Sequence, residues 1–200
     1  SNNTAVGKAA LGANTTGTGN VAVGVNVLDA NTTADNNTAV GTGAASSNTT
    51  GAEINAFGTN ALFANTTGLA NCAFGNSSLD ANTTGGLNIA MGIQSLSSNT
   101  TASDNTAIGT FSMRDNTTGA GNVAVGRSAL LFNTTASNNT AIGTYALYVN
   151  TTGHSNTAVG GIALDANTTG VNNTAIGYGS LTGNTTGTEN TAIGRGCIAS

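Results

Sequence analysis

The residues with the clearest capacity for chemistry are eleven asparagines that each head the triplet NTT. Asn-x-Thr is the acceptor pattern for N-linked glycosylation, which requires an exposed side-chain amide in a secretory compartment. The alternative is structural, because stacked asparagine amides can hydrogen-bond from one level of a stack to the next and hold a corner. The pattern favours the ladder and leaves glycosylation open. The residues are Asn14, Asn31, Asn48, Asn65, Asn82, Asn99, Asn116, Asn133, Asn150, Asn167 and Asn184.

The other reactive side chains form no catalytic or metal-binding pattern. Calcium-binding repeats need a carboxylate in each turn, whereas Asp29, Asp80 and Asp165 occupy one repeat position that carries no acid in most units. His154 is the only histidine and lies in a variable segment, which favours a solvated side chain. The Ser77–Ser78 pair has no histidine or carboxylate that the repeat would bring close. We therefore expect no enzyme activity, no metal and no cofactor.

These residues sit in a strict 17-residue repeat. The glycine of the motif AφG, where φ is Val, Ile, Phe or Met, recurs at every seventeenth position from Gly7 to Gly194 without an insertion or deletion. The unit reads N-T-A-φ-G-x-x-[AS]-L-x-x-N-T-T-[GA]-x-x. Val, Ile and Thr bounded by Gly and Asn predict short strands joined by turns, and the unit has no helical apolar stripe.

Stacking of these units predicts an all-β fold, a parallel β-solenoid (β-roll) of twelve 17-residue coils. At about 4.8 Å per coil the rod would be roughly 55 Å long. Residues 1–200 then form a single repeat array, a segment of a longer fibre. We expect the NTT triplet to form a corner, which the following Gly or Ala suits, since Gly allows a positive φ.

Composition narrows the functional classes. Charged residues are 6% of the chain, aromatic residues are 4% and proline is absent, so a conventional core of large side chains cannot form. The net charge is −4 and the charges are scattered, which argues against nucleic-acid binding. The chain contains no run of about 18 apolar residues, which a membrane-spanning helix would need.

Two adjacent residues of the unit, Ala and φ, are apolar in every coil. Because neighbouring strand residues point to opposite faces, one of them fills the interior with the Leu row and the other forms a second apolar ladder along the rod. An exposed ladder favours a homo-oligomer, although Ala is small enough to tolerate solvent and a bend between the two residues would also account for the pattern. Representative ladder residues are Ala5, Val6, Ala22, Val23, Ala124, Val125, Ala175 and Ile176.

The two cysteines, Cys72 and Cys197, lie seven coils apart in this arrangement. That separation is about 34 Å at the coil spacing and exceeds the reach of a disulfide. We expect no bond between them within one chain, and we expect each to be a small core residue.

The paired threonines of NTT provide an alternative function. Regular threonine rows on a flat solenoid face order water in several antifreeze proteins, but those faces carry Thr-x-Thr. Adjacent threonines alternate between faces, so only a single row would be exposed. A binding module that uses a Thr/Asn face, with a glycan or ice as ligand, is the alternative that this pattern leaves open.

The segments NTAIGYGSLTGNTTG (173–187) and NVAVGRSALLFNTTA (122–136) resemble the head repeats of trimeric autotransporter adhesins. With the NTT triplet, the unit is also similar to repeat arrays in bacterial surface proteins and phage tail fibres. The resemblance implies a left-handed β-roll, a trimer and a role in attachment, although adhesin head repeats are shorter. We expect a non-enzymatic shaft of an extracellular fibre or adhesin, assembled as a trimer or head to tail, with a host surface or glycan as its target.

Overall fold

A computed structural model describes residues 2–198 and shows a parallel β-solenoid, which confirms the predicted fold class. Each coil contributes one three-residue strand, and coil n is named here after its strand βn. The twelve strands form one parallel sheet in chain order. They are β1 Thr4–Val6, β2 Val21–Val23, β3 Thr38–Val40, β4 Asn55–Phe57, β5 Cys72–Phe74, β6 Ile89–Met91, β7 Thr106–Ile108, β8 Val123–Val125, β9 Thr140–Ile142, β10 Thr157–Val159, β11 Thr174–Ile176 and β12 Thr191–Ile193.

The register of the sheet explains the absence of insertions. Each strand residue pairs with the residue 17 positions later, so that Ala107 lies beside Ala124 and Ile108 beside Val125. Outside the strands the chain keeps the same register: the amide of Thr49 donates to the carbonyl of Thr66 at 2.9 Å. A one-residue insertion within a strand would shift its pairing register and move the side chains that follow in that strand to the opposite face.

The core is a thin column built from two rows of side chains. The alanine at the centre of each strand is fully buried from β2 to β11, and it packs with the Leu row of the opposite wall. Leu28, Leu96 and Leu164 are typical of that row and are fully buried. Burial of one leucine side chain contributes about 1.5–3 kcal/mol, so this row is a main source of the rod's stability.

The glycine of AφG is required by backbone conformation and by space. In all twelve coils its φ lies between 126° and 137°, a region that L-residues rarely adopt. A Cβ atom at Gly109 would lie 2.6 Å from the carbonyl oxygen of Gly126, the equivalent glycine of the next coil. The positive φ that glycine would allow after NTT is not adopted: Gly51 and its equivalents have no positive φ, which fits the presence of Ala34 at the same position.

The Leu row itself adopts left-handed backbone conformation, with φ between 47° and 57° from Leu11 to Leu181. Two further positions of the coil are left-handed as well, and they include bulky residues such as Tyr145 and Ile162. Each such residue carries a conformational cost of about 1–2 kcal/mol. Stacking therefore determines the backbone here, and it overrides local preference.

Candidate interaction surfaces

The asparagines of NTT form a continuous ladder inside the rod. The Nδ2 atom of Asn99 donates to Oδ1 of Asn82 at 2.9 Å and to the carbonyl oxygen of Ala102 at 3.0 Å. Its own Oδ1 accepts from Nδ2 of Asn116 at 3.2 Å. The same pattern repeats along the chain, and the fully buried members are Asn31, Asn48, Asn65, Asn82, Asn99, Asn116, Asn133, Asn150, Asn167.

The burial and hydrogen bonding of these asparagine amides argue against their glycosylation in the folded rod. A buried amide whose hydrogens are both donated to protein oxygens has no route to a sugar in the folded rod. Asn14 and Asn184, near the two ends of the described chain, are only half-buried. The structure therefore places the NTT triplets at a hydrogen-bonded corner, and a glycan on an interior asparagine would have to displace the ladder.

A second asparagine ladder runs beside the first, and our reading of the sequence missed it. The asparagine that precedes each strand accepts from the backbone amide of its equivalent in the next coil, as Asn88 does from Asn105 at 3.1 Å. Asn88 Nδ2 also donates to the carbonyl oxygen of Ala102 at 2.9 Å, the same acceptor that Asn99 uses. The sequence does contain a pattern that indicates this ladder, because Asn precedes the strand in all coils but one.

Ile54 interrupts this second ladder in coil 4. Its backbone amide still donates to Oδ1 of Asn37 at 3.0 Å, but its side chain has no amide to continue the stack. In residues 2–198 the Nδ2 atom of Asn37 is buried without a hydrogen-bond partner. Coil 4 is therefore a defect in the polar stack that is filled by a buried aliphatic side chain.

The two threonines of NTT have different roles. The hydroxyl of the first donates to the backbone carbonyl of its equivalent in the next coil, as Thr83 does to Thr100 at 3.0 Å. The second threonine is exposed in every coil, Thr84 and Thr101 among them. Since the asparagines are internal and the first hydroxyl bonds to the backbone, only the second threonine of each NTT triplet offers a free hydroxyl to a binding face.

The opposite face of the sheet carries an outward apolar strip. We use that name for the φ residues together with the first residue of each strand, which is Thr in seven strands, Val, Ile or Cys in four and Asn in β4. Phe74, Met91, Ile108, Ile142 and Ile176 each keep 36–41% of their surface exposed. No strip position in any of the twelve strands holds a charged residue.

The structure divides the predicted ladder residues between the two sides of the sheet. Ala22, Ala124 and Ala175 are fully buried in the interior, and Ala5 is exposed in the first coil. Their neighbours Val6, Val23, Val125 and Ile176 lie in the outward apolar strip. In β2 to β11, the φ residue of each Ala–φ pair is therefore the one available for contact with another molecule.

The strip is widest in coils 5 and 6. Leu87, Ile89, Met91 and Ile93 alternate along the chain, and each is more than one-third exposed. Leu69 lies beside them, since the amide of Leu87 donates to its carbonyl at 3.0 Å. Exposed apolar surface that continues over so many residues is typical of an interaction site.

Both cysteines are free thiols. The core position that we expected is wrong for Cys72, which begins β5 on the outward side and is half-buried, with a pKa raised by that burial. Cys197 is also only partly buried, although it packs against the hydrophobic core.

The remaining candidate residues are dispersed. His154 is exposed and contacts the hydroxyl of Ser155 at 3.2 Å, and the hydroxyl of Ser78 donates to the carbonyl of Gly75 at 3.1 Å. Burial raises the pKa of Asp80 and of Asp165. Within residues 2–198, histidine, cysteine, aspartate and glutamate side chains form no group that could hold a metal ion.

Comparison with known proteins gave no relative: no family model, curated protein or solved structure matches the chain. The similarity to adhesin heads therefore rests on the repeat unit alone. The part of the chain that the structure describes also contains no helix long and apolar enough to cross a bilayer.

Proposed function

We propose that this chain is a non-enzymatic, rigid shaft of an extracellular fibre or adhesin, in which copies of the chain pack side by side along the outward apolar strip. The strip carries this proposal. It runs the length of the described rod, and it holds no charge that would have to be neutralised on contact. The resemblance of the repeat to adhesin heads favours three chains in such an assembly.

The size of the strip suits a protein interface. Across the strip, the two outward residues of a strand and their side chains span about 12 Å. Along the rod axis, twelve coils span about 55 Å. The product, roughly 650 Å², is close to the approximately 800 Å² that each partner contributes to a standard interface.

A second copy of the chain is the partner that fits best. Any partner must match the rise of the rod over twelve coils, and an identical rod does so without adjustment. Its strip presents the same row of Val, Ile, Phe and Met side chains, with the same mostly Thr row beside it, at the same spacing.

Rigidity is the mechanical contribution of the fold. Parallel hydrogen bonds join every coil to the next, and two internal asparagine ladders add side-chain bonds along the same axis. Bending the rod would stretch these bonds together, which suits a shaft that transmits force to an attachment point.

The test compares two double variants that add the same charges to different faces. Ile108→Asp with Ile142→Asp alters the strip in coils 7 and 9, whereas Thr118→Asp with Thr152→Asp alters the exposed threonine row of the same coils. In sedimentation equilibrium we expect the first pair to reduce the oligomer to monomers and the second to leave it intact. Equal effects of both pairs, or a monomeric wild-type chain, would reject side-by-side packing.

A further inference from the structure

The repeat is broken on one side of coils 7 to 9, where aromatic and charged residues replace small ones. Four of the eight aromatic residues and two of the four cationic residues of the chain gather there. At these positions, apart from that of Arg127, most other coils carry Ala, Ser, Gly, Asn or Asp. We call this group the aromatic cluster: Phe111, Arg114, Asp115, Arg127, Phe132, Tyr145 and Tyr148.

Tyr148 lies at the centre of the cluster. Its ring meets the ring of Phe132 edge to face at 5.1 Å between centroids, and meets that of Tyr145 in the same manner at 5.1 Å. Contacts of this kind hold the rings in fixed orientations. All three rings are half-buried, so each presents part of its surface to solvent.

Two arginines border the rings. The guanidinium of Arg114 forms a two-point ion pair with Asp115, at 2.7 and 3.1 Å, and its Cζ lies 5.9 Å from the centre of the Phe111 ring. Arg127 is exposed and lies over Tyr145 at 5.8 Å. In residues 2–198 the Arg114–Asp115 pair is the only salt bridge, so Arg127 has no carboxylate partner there.

A buried apolar residue lies in register with two members of the cluster. Leu131 stands at the unit position that Arg114 and Tyr148 hold in the adjacent coils, and only 4% of its surface is exposed. Elsewhere that position holds residues such as Asp29 and Ser46. A leucine therefore takes the place of a polar residue in the row between Arg114 and Tyr148, and it is almost fully buried.

We propose that the aromatic cluster binds a saccharide that carries a carboxylate or sulfate group. The C–H faces of a sugar ring stack on the apolar faces of tyrosine and phenylalanine rings, and the tyrosine hydroxyls add polar groups beside those faces. Arg127 supplies the free cation for the acidic group. The remaining donors of Arg114 and lone pairs of Asp115 suit the neighbouring hydroxyls. This site goes beyond the proposed structural role and does not depend on it.

Size and charge argue against other ligands. The cluster spans three coils, about 10 Å along the rod, which is far below the area of a standard protein interface. With one unpaired cation it offers no groove that neutralises successive phosphates, as single-stranded nucleic acids require.

The experiment measures binding of defined probes to the full chain by calorimetry. Hexasaccharides of galacturonate, hyaluronan and chondroitin sulfate are compared with cellohexaose and chitohexaose, which are neutral, and with a short oligothymidylate. The variants are Tyr148→Ala, Tyr145→Ala and Arg127→Gln. Tyr178→Ala is the matched control, because Arg195 lies over Tyr178 at 5.9 Å but the pair has no neighbouring rings.

We expect at least one acidic hexasaccharide to bind. Loss of either tyrosine of the cluster should weaken binding about tenfold or more, and Arg127→Gln should reduce the acidic ligand to the affinity of its neutral counterpart. Tyr178→Ala should bind like the wild type. The proposal is overturned if no acidic sugar binds at millimolar concentration, if the oligonucleotide binds more tightly, or if the control loses as much affinity as Tyr148→Ala.

Discussion

Asn99 donates its side-chain amide to Oδ1 of Asn82, its equivalent in the preceding coil, at 2.9 Å. The two residues are 17 positions apart in sequence, and both are fully buried. Because a hydrogen bond of this kind recurs along the rod, the asparagine of NTT is part of the interior and not an exposed acceptor for a glycan. Its energetic value can be measured directly.

Replacement of Asn99 by Ala should destabilise the rod by about 2–4 kcal/mol, because it leaves Oδ1 of Asn82 without its donor and breaks the ladder toward Asn116. The measurement is the free energy of unfolding from urea titration. Thr101→Ala is the matched control: it also removes the glycosylation pattern of this triplet, but Thr101 is exposed, and we expect a change below about 0.5 kcal/mol. Equal losses in both variants would contradict the ladder.

Gly109→Ala should destabilise the rod by at least about 3 kcal/mol, because the residue has a φ of 128° and its new Cβ would meet the carbonyl of Gly126. Gly183→Ala is the control, since a Cβ there has open space and the backbone lacks a positive φ. Urea titration should show no loss for the control. A mild effect at Gly109 would mean that the coils can separate locally.

Ile162→Asn should stabilise the protein by about 1 kcal/mol, because a β-branched residue is strained at a left-handed φ that asparagine tolerates. The reverse exchange, Asn60→Ile at the same unit position, should cost a similar amount. Thermal melts of the two variants would show shifts of opposite sign. Shifts in the same direction would mean that packing, not backbone strain, determines stability at this position.

Stability should increase as the pH falls from neutrality toward 4. Burial raises the pKa of Asp80 and Asp165 above the ordinary value of 3.8, partly offset by backbone hydrogen bonds. The folded chain therefore holds these protons more tightly than the unfolded chain. Their favourable contribution is complete below pH 3.8 and is lost as the pH rises through the raised folded-state pKa.

The check for this effect is the double variant Asp80→Ser with Asp165→Ser, which introduces the residue that Ser46 and Ser97 provide at the same unit position. Its urea midpoint should vary less with pH than that of the wild type. Parallel pH profiles would show that other groups cause the dependence.

The sequence was sufficient to predict the solenoid, its twelve coils and the pairing of each residue with the one 17 positions later. These features follow from periodicity, and Gly109 and Gly126 are one example of two residues whose spacing placed them in contact. Alternation along a strand also predicted that Ala and φ would lie on opposite sides of the sheet. It could not say which side was internal, since both residues are apolar.

Other features depend on the closed coil and could not be predicted locally. Leu96 has a φ of 52°, a conformation that no propensity of leucine suggests, and it follows from the closure of a 17-residue turn. The sequence shows the recurring asparagine at the position of Asn88. It does not show that this side chain donates to the carbonyl oxygen of Ala102, because that contact depends on how the coil closes. The aromatic cluster was hidden for another reason: Arg114 and Tyr148 lie in positions that vary along the repeat.

Sedimentation equilibrium of the wild-type chain at micromolar concentration tests the central claim, that the rods associate along the outward apolar strip. We expect a mass that is a whole multiple of 19.3 kDa, with three copies favoured, and we expect Ile108→Asp with Ile142→Asp to reduce it to the mass of one chain. A wild-type mass of 19.3 kDa across the concentration range would contradict the account.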